Sequence, residues 1–180
     1  AGHRLVQMGE DEKCIFCIGS PDIDVMLHQS LVDIEKVKEY YEIPFERYAI
    51  LMYHPVTTEE DEIGEHIKSV VKACKKSGKN YVVVYPNNDT GTEVILSEYH
   101  RLEKNERFVI YPSLRFEYFL SLLKNAEFVI GNSSAGIRET GIYGVPAIDI
   151  GTRQAGRYDI TRLHNILHVD EDVTAILQAM

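Results

Sequence analysis

Short, nearly continuous apolar runs alternate with stretches of helical periodicity along most of this chain. Apolar strands without a polar face must be covered on both sides, and strands that alternate with helices are typical of a parallel sheet. The sequence therefore predicts an α/β fold with a doubly wound, Rossmann-like parallel sheet, in a single domain over residues 1–180. The predicted strands are 13–18, 48–53, 81–85, 107–111, 127–130, 145–150 and 165–169.

The segments between these runs predict helices. The first is expected over residues 21–41 and opens with Pro21. The second is expected to start with Thr57 or Thr58 as its N-cap and to end at Gly78, with acidic residues in its first turn and lysines in its last. The remaining helices are expected over 92–102, 116–125 and 135–143, and from 171 onward.

Composition limits the classes of partner. The chain has 180 residues, of which 44% are hydrophobic, so it can bury a core without disulfides or metal. Its net charge of −9 argues against nucleic acid or an anionic membrane surface as a partner. No run approaches the about eighteen apolar residues of a membrane helix, and the start does not resemble a signal peptide. A cytoplasmic location is expected.

The cysteines and the acidic or histidine pairs are the candidates for metal chemistry. All three cysteines have apolar neighbours, which predicts buried thiols in a reducing compartment. Cys14 and Cys17 form a C-x-x-C, but no second pair or His cluster completes a zinc site. The acidic run 59–62 is interpreted as the solvated first turn of a helix, and His164 and His168 flank a strand. The sequence therefore predicts no metal site and no cofactor.

The strand at 127–130 ends in a polar elbow that can bind an anion. Ser133 and Ser134 precede a helix, so free backbone N–H groups and the helix dipole favour a phosphate or carboxylate there. Glycines on either side of the serines would let the backbone approach a ligand. Glu139 lies about one and a half turns into the helix and could reach the polar end of the same ligand. The alternative is that one serine is simply an N-cap.

Other strand ends carry further polar candidates. Parallel sheets bind ligands beyond the carboxyl ends of their strands, so these residues are predicted to collect on one rim. His54 directly follows a strand and could donate to a phosphate oxygen or a leaving group, although a structural role is the alternative. The chain has neither the dinucleotide fingerprint nor a P-loop. The candidate strand ends are Gly19-Ser20, His54-Pro55, Asn87-Asn88-Asp89, Pro112-Ser113, Asn132-Ser133-Ser134 and Gly151-Thr152-Arg153.

Five segments carry a resemblance that covers nearly the whole chain. They are His54-Pro55-Val56-Thr57-Thr58, Tyr85-Pro86-Asn87-Asn88-Asp89-Thr90-Gly91, Gly131-Asn132-Ser133-Ser134-Ala135-Gly136-Ile137-Arg138-Glu139, Gly144-Val145-Pro146 and Gly151-Thr152-Arg153-Gln154-Ala155-Gly156-Arg157. In this order and spacing they resemble the hydrolysing UDP-N-acetylglucosamine 2-epimerases of sialic acid synthesis. The non-hydrolysing enzymes carry a His-Arg-Arg-Glu segment where this chain has His-Pro-Val-Thr, which favours the hydrolysing branch.

The resemblance implies a fold and a set of ligand contacts. The family has two Rossmann-like halves arranged as in GT-B glycosyltransferases, and this chain resembles the C-terminal, UDP-binding half. His54, Ser133 and Ser134 would contact the diphosphate, with Gly136 in the same motif, and Glu139 would hold the ribose hydroxyls. Toward the uridine side the resemblance places Asn87 and Ser113. Arg153 and Arg157 match a family loop without an assigned role.

The resemblance also implies a reaction. In the family, UDP leaves by anti elimination to give a 2-acetamidoglucal, and hydration then gives N-acetylmannosamine. The carboxylates that move protons come from the N-terminal half, so no catalytic residue is expected here beyond assistance to the leaving group by His54. The expected ligand is UDP or a UDP-N-acetylhexosamine, the full-length enzyme is expected to be a homo-oligomer, and this chain alone is expected to be inactive. The alternatives are the donor domain of a GT-B glycosyltransferase and a noncatalytic nucleotide-sugar sensor.

Overall fold

A computed structural model describes residues 2–28, 30–159 and 161–180. The chain divides into two compact units, residues 1–30 and residues 31–180. The first unit contains helix α1 (Gly2–Gln7), a 3-10 helix (Glu12–Cys14) and helix α2 (Pro21–His28). The Rossmann-like sheet lies wholly in the second unit, whereas the sequence predicts one domain over residues 1–180.

The second unit is built on a sheet of six strands. They are β1 (Ala49–Met52), β2 (Tyr81–Val84), β3 (Phe108–Tyr111), β4 (Val129–Gly131), β5 (Ala147–Ile150) and β6 (Ile166–Val169). The order across the sheet is β3-β2-β1-β4-β5-β6, and every neighbouring pair is parallel. The predicted parallel, doubly wound α/β fold is therefore confirmed.

Six helices of the second unit cover the two faces of this sheet. They are α3 (Ile34–Tyr40), α4 (Ile63–Ser77), α5 (Thr92–His100), α6 (Phe116–Lys124), α7 (Ala135–Tyr143) and α8 (Val173–Ala179). Leu51 and Val83 pack with residues of α4, α5 and α8, whereas their neighbours Ile50 and Val82 pack with residues of α3 and α6. Burial on both faces explains why the strands are nearly continuous apolar runs.

None of the helices in the described ranges combines the length and the apolar character that a membrane crossing needs.

The helix predicted over residues 21–41 is two helices. The side chain of Asp33 accepts hydrogen bonds from the backbone N–H groups of Glu35 and Lys36, at 3.0 and 3.4 Å, and so caps the start of α3. The boundary between the two compact units also falls within the predicted helix. The apolar spacing continues across this boundary, which is why the pattern alone does not reveal the break.

The strand predicted over residues 13–18 is wrong, and so is the burial of two of the thiols. Residues 15–18 have no regular structure, and Phe16 and Ile18 are 80% and 83% exposed. A strand needs a partner for its backbone groups, and none pairs with this segment in the part of the chain that the structure describes. Cys14 and Cys17 are exposed, whereas Cys74 is buried on α4 as predicted.

The helix α4 begins later than its sequence predicts. Glu62 rather than Thr57 or Thr58 occupies the N-cap position, because the chain first makes a turn in which the backbone N–H of Glu62 donates to the carbonyl of Glu59 at 3.0 Å. The carboxylate of Glu59 accepts a hydrogen bond from the Thr152 hydroxyl. The acidic run 59–62 therefore precedes the helix instead of forming its first turn.

Candidate functional site

The order of the strands creates a switch point between β1 and β4. From β1 the chain adds β2 and β3 on one side and then β4, β5 and β6 on the other. Open α/β sheets bind ligands beyond the carboxyl ends of the strands at such a point. His54 follows β1, and Ser133 and Ser134 follow β4, so the structure brings these three predicted residues to neighbouring strand ends.

Asn132, which is fully buried, fixes His54 at this point. Its backbone N–H donates to the carbonyl of Met52 at 3.1 Å. Its side-chain Oδ1 accepts from the backbone N–H of His54 at 2.7 Å, and its Nδ2 donates to the His54 carbonyl at 2.8 Å. The amide thus continues the β1–β4 ladder past the last strand residue. Asn132 was named among the strand-end candidates, but its role was not predicted because His54 lies 78 residues away in sequence.

Gly131 allows β4 and β1 to approach each other closely. Its φ is 131°, and a Cβ there would lie 2.1 Å from the carbonyl oxygen of Met52. The expectation that Gly131 makes room for a ligand is therefore corrected: it makes room for the neighbouring strand.

Gly136 also turns its Cα toward the sheet. A Cβ would meet only the side chains of Val129 and Ala147, at 3.7 and 3.8 Å, which is ordinary packing. Its backbone N–H donates to the carbonyl of Ser133 at 3.1 Å. The missing side chain of Gly136 therefore affects packing against the sheet and does not make room for a ligand.

The two serines leave donors free at the start of α7. The Ser133 Oγ accepts a hydrogen bond from the backbone N–H of Ala135 at 3.3 Å. Ser134 occupies the N-cap position, but its side chain makes no capping hydrogen bond. Within the described residues, the backbone N–H groups of Ser133 and Ser134 have no hydrogen-bond acceptor. These two N–H groups and the positive end of the helix dipole are suited to an anion.

The imidazole of His54 contacts Asn87 through Nδ1. The backbone N–H of Asn87 donates to Nδ1 at 3.1 Å, and the side-chain Oδ1 of Asn87 lies 3.2 Å from the same nitrogen. Because the backbone N–H can only donate, we assign the proton of the neutral ring to Nε2. Burial, followed by the positive charge of Arg153, lowers the pKa of His54 to about 4. At neutral pH the ring is therefore an uncharged N–H donor. The structure places Asn87, predicted near the uridine, against this ring.

This lowered pKa predicts that the chain loses stability as the pH falls from 6.5 to 4. The unfolded chain takes up a proton near pH 6.5, whereas the folded imidazole stays neutral down to about pH 4, so the free energy of unfolding falls through that window. We expect His54→Gln to flatten this slope, by up to about 3 kcal/mol across the window. Urea unfolding at pH 4.5, 5.5 and 7 measures the slope.

The exposed imidazole of His100 provides the control for this prediction. His100→Gln is expected to retain the wild-type dependence on pH. A His54→Gln protein whose unfolding free energy falls as steeply as that of the wild type would contradict the assignment.

The loop after β5 adds positive charge to the same place. The Arg153 Nη1 and the Gln154 Nε2 both donate to the carbonyl of Asn132, at 3.1 and 2.7 Å. Burial, followed by the positive charge of Arg157, lowers the pKa of Arg153, since like charges repel. A bound anion would relieve this repulsion. Sequence reasoning missed the buried Gln154 and found no role for the arginines.

Two predicted residues lie farther out. Glu139 is half-buried on α7, five residues beyond Ser134, which is about 7.5 Å along the helix. Ser113 is exposed after the edge strand β3, two strands from β1, which corresponds to about 10 Å across the sheet. No hydrogen bond joins Ser113 to the other site residues among those described. Its role therefore stays a prediction for the far end of an extended ligand.

Comparisons with known proteins identify the family of this chain. The sequence model described as UDP-N-acetylglucosamine 2-epimerase matches residues 1–180. A UDP-N-acetylglucosamine 2-epimerase of Neisseria meningitidis serogroup B is 51% identical over 177 residues, which are 98% of this chain and 46% of that protein. A hydrolyzing UDP-N,N'-diacetylbacillosamine 2-epimerase of Legionella pneumophila is 30% identical over 178 residues, again 98% of this chain and 46% of that protein. The chain thus spans about half the length of these relatives.

Solved structures share the fold. The UDP-GlcNAc 2-epimerase of Methanocaldococcus jannaschii in complex with UDP-GlcNAc and UDP has a TM-score of 0.73 and 22% identity, over 98% of this chain and 50% of that one. The Neisseria meningitidis UDP-GlcNAc 2-epimerase bound to UDP-GlcNAc has a TM-score of 0.71 and 15% identity, over 99% of this chain and 49% of that one. Because the family model matches residues 1–180, this chain belongs to the UDP-N-acetylglucosamine 2-epimerase family.

Proposed function

We propose that this chain is the UDP-binding half of a hydrolysing UDP-N-acetylglucosamine 2-epimerase. The observation that carries the proposal is the set of donors at the β1–β4 switch point. These are the backbone N–H groups of Ser133 and Ser134, which have no acceptor in the part of the chain that the structure describes, the Nε2–H of His54 and the guanidinium of Arg153. A diphosphate offers acceptor oxygens and charge to all of them. The relatives solved with UDP or UDP-GlcNAc support the same ligand class.

Each residue has a role in this proposal. Ser133 and Ser134 bind one phosphate at the start of α7, and the neutral His54 donates from Nε2 to an oxygen of the other. Because His54 already carries its proton on Nε2, it can stabilise the departing UDP without first being protonated. The carboxylate of Glu139 accepts hydrogen bonds from the ribose hydroxyls. Arg153 supplies positive charge to the diphosphate and would be assisted by Arg157.

Two observations support the hydrolysing reaction. The chain has His-Pro-Val-Thr from His54 to Thr57, where the non-hydrolysing branch has His-Arg-Arg-Glu. The Legionella relative, at 30% identity, is named as a hydrolyzing enzyme. We infer that the reaction is elimination of UDP followed by hydration to N-acetylmannosamine. The proton-transferring carboxylates would belong to the rest of the protein, so this chain binds the nucleotide and does not turn over the sugar.

Calorimetric titration of UDP tests the nucleotide site. The wild-type chain is expected to bind UDP, and Glu139→Ala is expected to bind it about tenfold more weakly because the ribose hydroxyls lose a charged acceptor. The matched control is Glu117→Ala, an exposed carboxylate on α6 that should leave the affinity unchanged. If neither wild type nor Glu139→Ala gives heat with UDP, the nucleotide site does not exist.

Product analysis separates this proposal from its alternatives. The full-length protein should release free UDP and N-acetylmannosamine from UDP-N-acetylglucosamine in water, whereas a glycosyltransferase needs an acceptor and a sensor releases nothing. The 180-residue chain should bind UDP without releasing it from the sugar nucleotide. Full turnover by the chain alone would contradict the assignment of the catalytic carboxylates to the rest of the protein.

A further inference from the structure

Three side chains outside the nucleotide site converge on one point. Glu59 lies in the turn before α4, His66 lies in the first turns of α4, and Glu171 lies between β6 and α8. One oxygen of each carboxylate and one imidazole nitrogen lie within 4.8 Å of one another, and all three residues are partly buried. We propose that Glu59, His66 and Glu171 hold a divalent cation, with Zn²⁺ as the ion that best fits the donors.

His66 is too far from the two carboxylates to hydrogen-bond to them, but close enough to share an ion with them. The Nδ1 of His66 is 3.8 Å from Glu59 Oε2 and 3.7 Å from Glu171 Oε1, beyond hydrogen-bonding distance for both. Ligands of a tetrahedral zinc ion lie about 2.0 Å from the metal and therefore about 3.3 Å from each other. The two distances from His66 would have to shorten by about half an ångström to reach that spacing.

A carboxylate also lies at the second nitrogen of His66. The Nε2 is 3.4 Å from Glu62 Oε2, one turn back along the chain, which is an ion-pair distance without a hydrogen bond. In carboxylate–histidine–zinc arrangements a carboxylate at this nitrogen orients the ring toward the metal. A small rotation of the exposed Glu62 side chain would complete that contact.

The charge of this cluster is not balanced by basic residues. Two partly buried carboxylates, of Glu59 and Glu171, face one imidazole, and the third, of Glu62, is 69% exposed. No Lys or Arg nitrogen of the described residues lies within 4 Å of any of them. Even a protonated His66 would leave a net negative charge in a partly buried place. A divalent cation would compensate it.

Neighbouring groups hold both carboxylates in place. The Tyr53 hydroxyl donates to Glu171 Oε1 at 3.2 Å, and the Thr152 hydroxyl donates to Glu59 Oε1. A Cβ on Gly151 would lie 1.8 Å from Glu171 Oε1, so the carboxylate occupies space that only glycine leaves open. Bound zinc would therefore connect the turn before α4, α4 itself and the segment before α8.

Zinc binding by metal-free protein tests the site. The exposed Cys14 and Cys17 can also bind zinc, so the parent protein carries Cys14→Ser and Cys17→Ser. We expect one Zn²⁺ per chain by calorimetry and elemental analysis, and a higher melting temperature with Zn²⁺ than with EDTA. His66→Gln and the nearly isosteric Glu171→Gln should each weaken binding by about 100-fold or more.

The matched control is His100→Gln. His100 lies 3.7 Å from Glu103, so it has a carboxylate at the same distance but, within residues 2–28, 30–159 and 161–180, no second one. Its loss should leave zinc affinity unchanged. Circular dichroism confirms that each variant is folded, and Glu171→Gln remains informative if His66→Gln is not. A parent protein that binds no Zn²⁺, or folded His66→Gln and Glu171→Gln proteins with parental affinity, would overturn the proposal.

Discussion

Asn132→Asp is expected to weaken UDP binding by about 100-fold while the chain still folds. The new carboxylate can accept from the His54 N–H, but its second oxygen faces the His54 carbonyl at the 2.8 Å where the amide now donates. Two acceptors repel at this distance, and a buried negative charge is placed beside the proposed diphosphate. The His54 backbone must then shift away from the β4 end. Calorimetric titration of UDP against the variant measures the loss.

A second variant separates binding from stability. The Nδ2 of Asn125 donates to the carbonyl of Ser121 at 2.8 Å, so Asn125→Asp loses the same kind of amide-to-carbonyl bond on α6. Asn132→Asp should lower the free energy of unfolding by about 1–3 kcal/mol because Asn132 is buried, and Asn125→Asp, at an exposed position, by about 0.5–1.5 kcal/mol. Only Asn132→Asp should lose UDP. Equal UDP affinities in the two variants would mean that Asn132 has no role in positioning His54.

Gly131→Ala is expected to destabilise the chain by about 3–5 kcal/mol. The added Cβ would lie 2.1 Å from the carbonyl oxygen and 2.6 Å from the carbonyl carbon of Met52. Neither atom belongs to a flexible side chain, so β4 and β1 must separate where they are in register. The φ of 131° adds strain for any residue with a side chain. Urea unfolding measures the change.

Gly141 on α7 is the control for this substitution. A Cβ there would meet nothing within 4 Å, and the residue lies inside the helix. Gly141→Ala should therefore stabilise the chain by about 0.5–1 kcal/mol, through helix propensity alone. If Gly131→Ala proved as stable as the wild type, the close approach of β4 and β1 would be wrong.

Local sequence was enough to predict most of the sheet and the elbow. The apolar runs marked the strands because both faces of the sheet are buried, and parallel strands bring their carboxyl ends to one edge. The helix α7 covers 135–143 as predicted, since the serines precede it and Gly144 ends it with a φ of 68°. These features depend on neighbours in sequence, or on a rule that holds for any parallel sheet.

Contacts that depend on strand order could not be predicted in this way. The bond between His54 and Asn132 joins residues 78 apart, and it exists only because β4 lies beside β1. The acidic run at 59–62 was interpreted as a solvated turn because nothing near it in sequence indicates that Glu171 lies opposite. The start of α4 was misplaced for a related reason, since Glu59 is bonded to Thr152, 93 residues away.

The exposed segment from Cys14 to Ile18 has a consequence for handling the protein at the bench. Its five residues contain no charge and no proline, and Phe16 and Ile18 are about four-fifths exposed. Such segments favour edge-to-edge association, and the two exposed thiols can turn a transient contact into a covalent one in air. Ligand affinities should therefore be measured on dilute, reduced samples or on the protein with Cys14→Ser and Cys17→Ser. Otherwise aggregation would contribute to the measured signal.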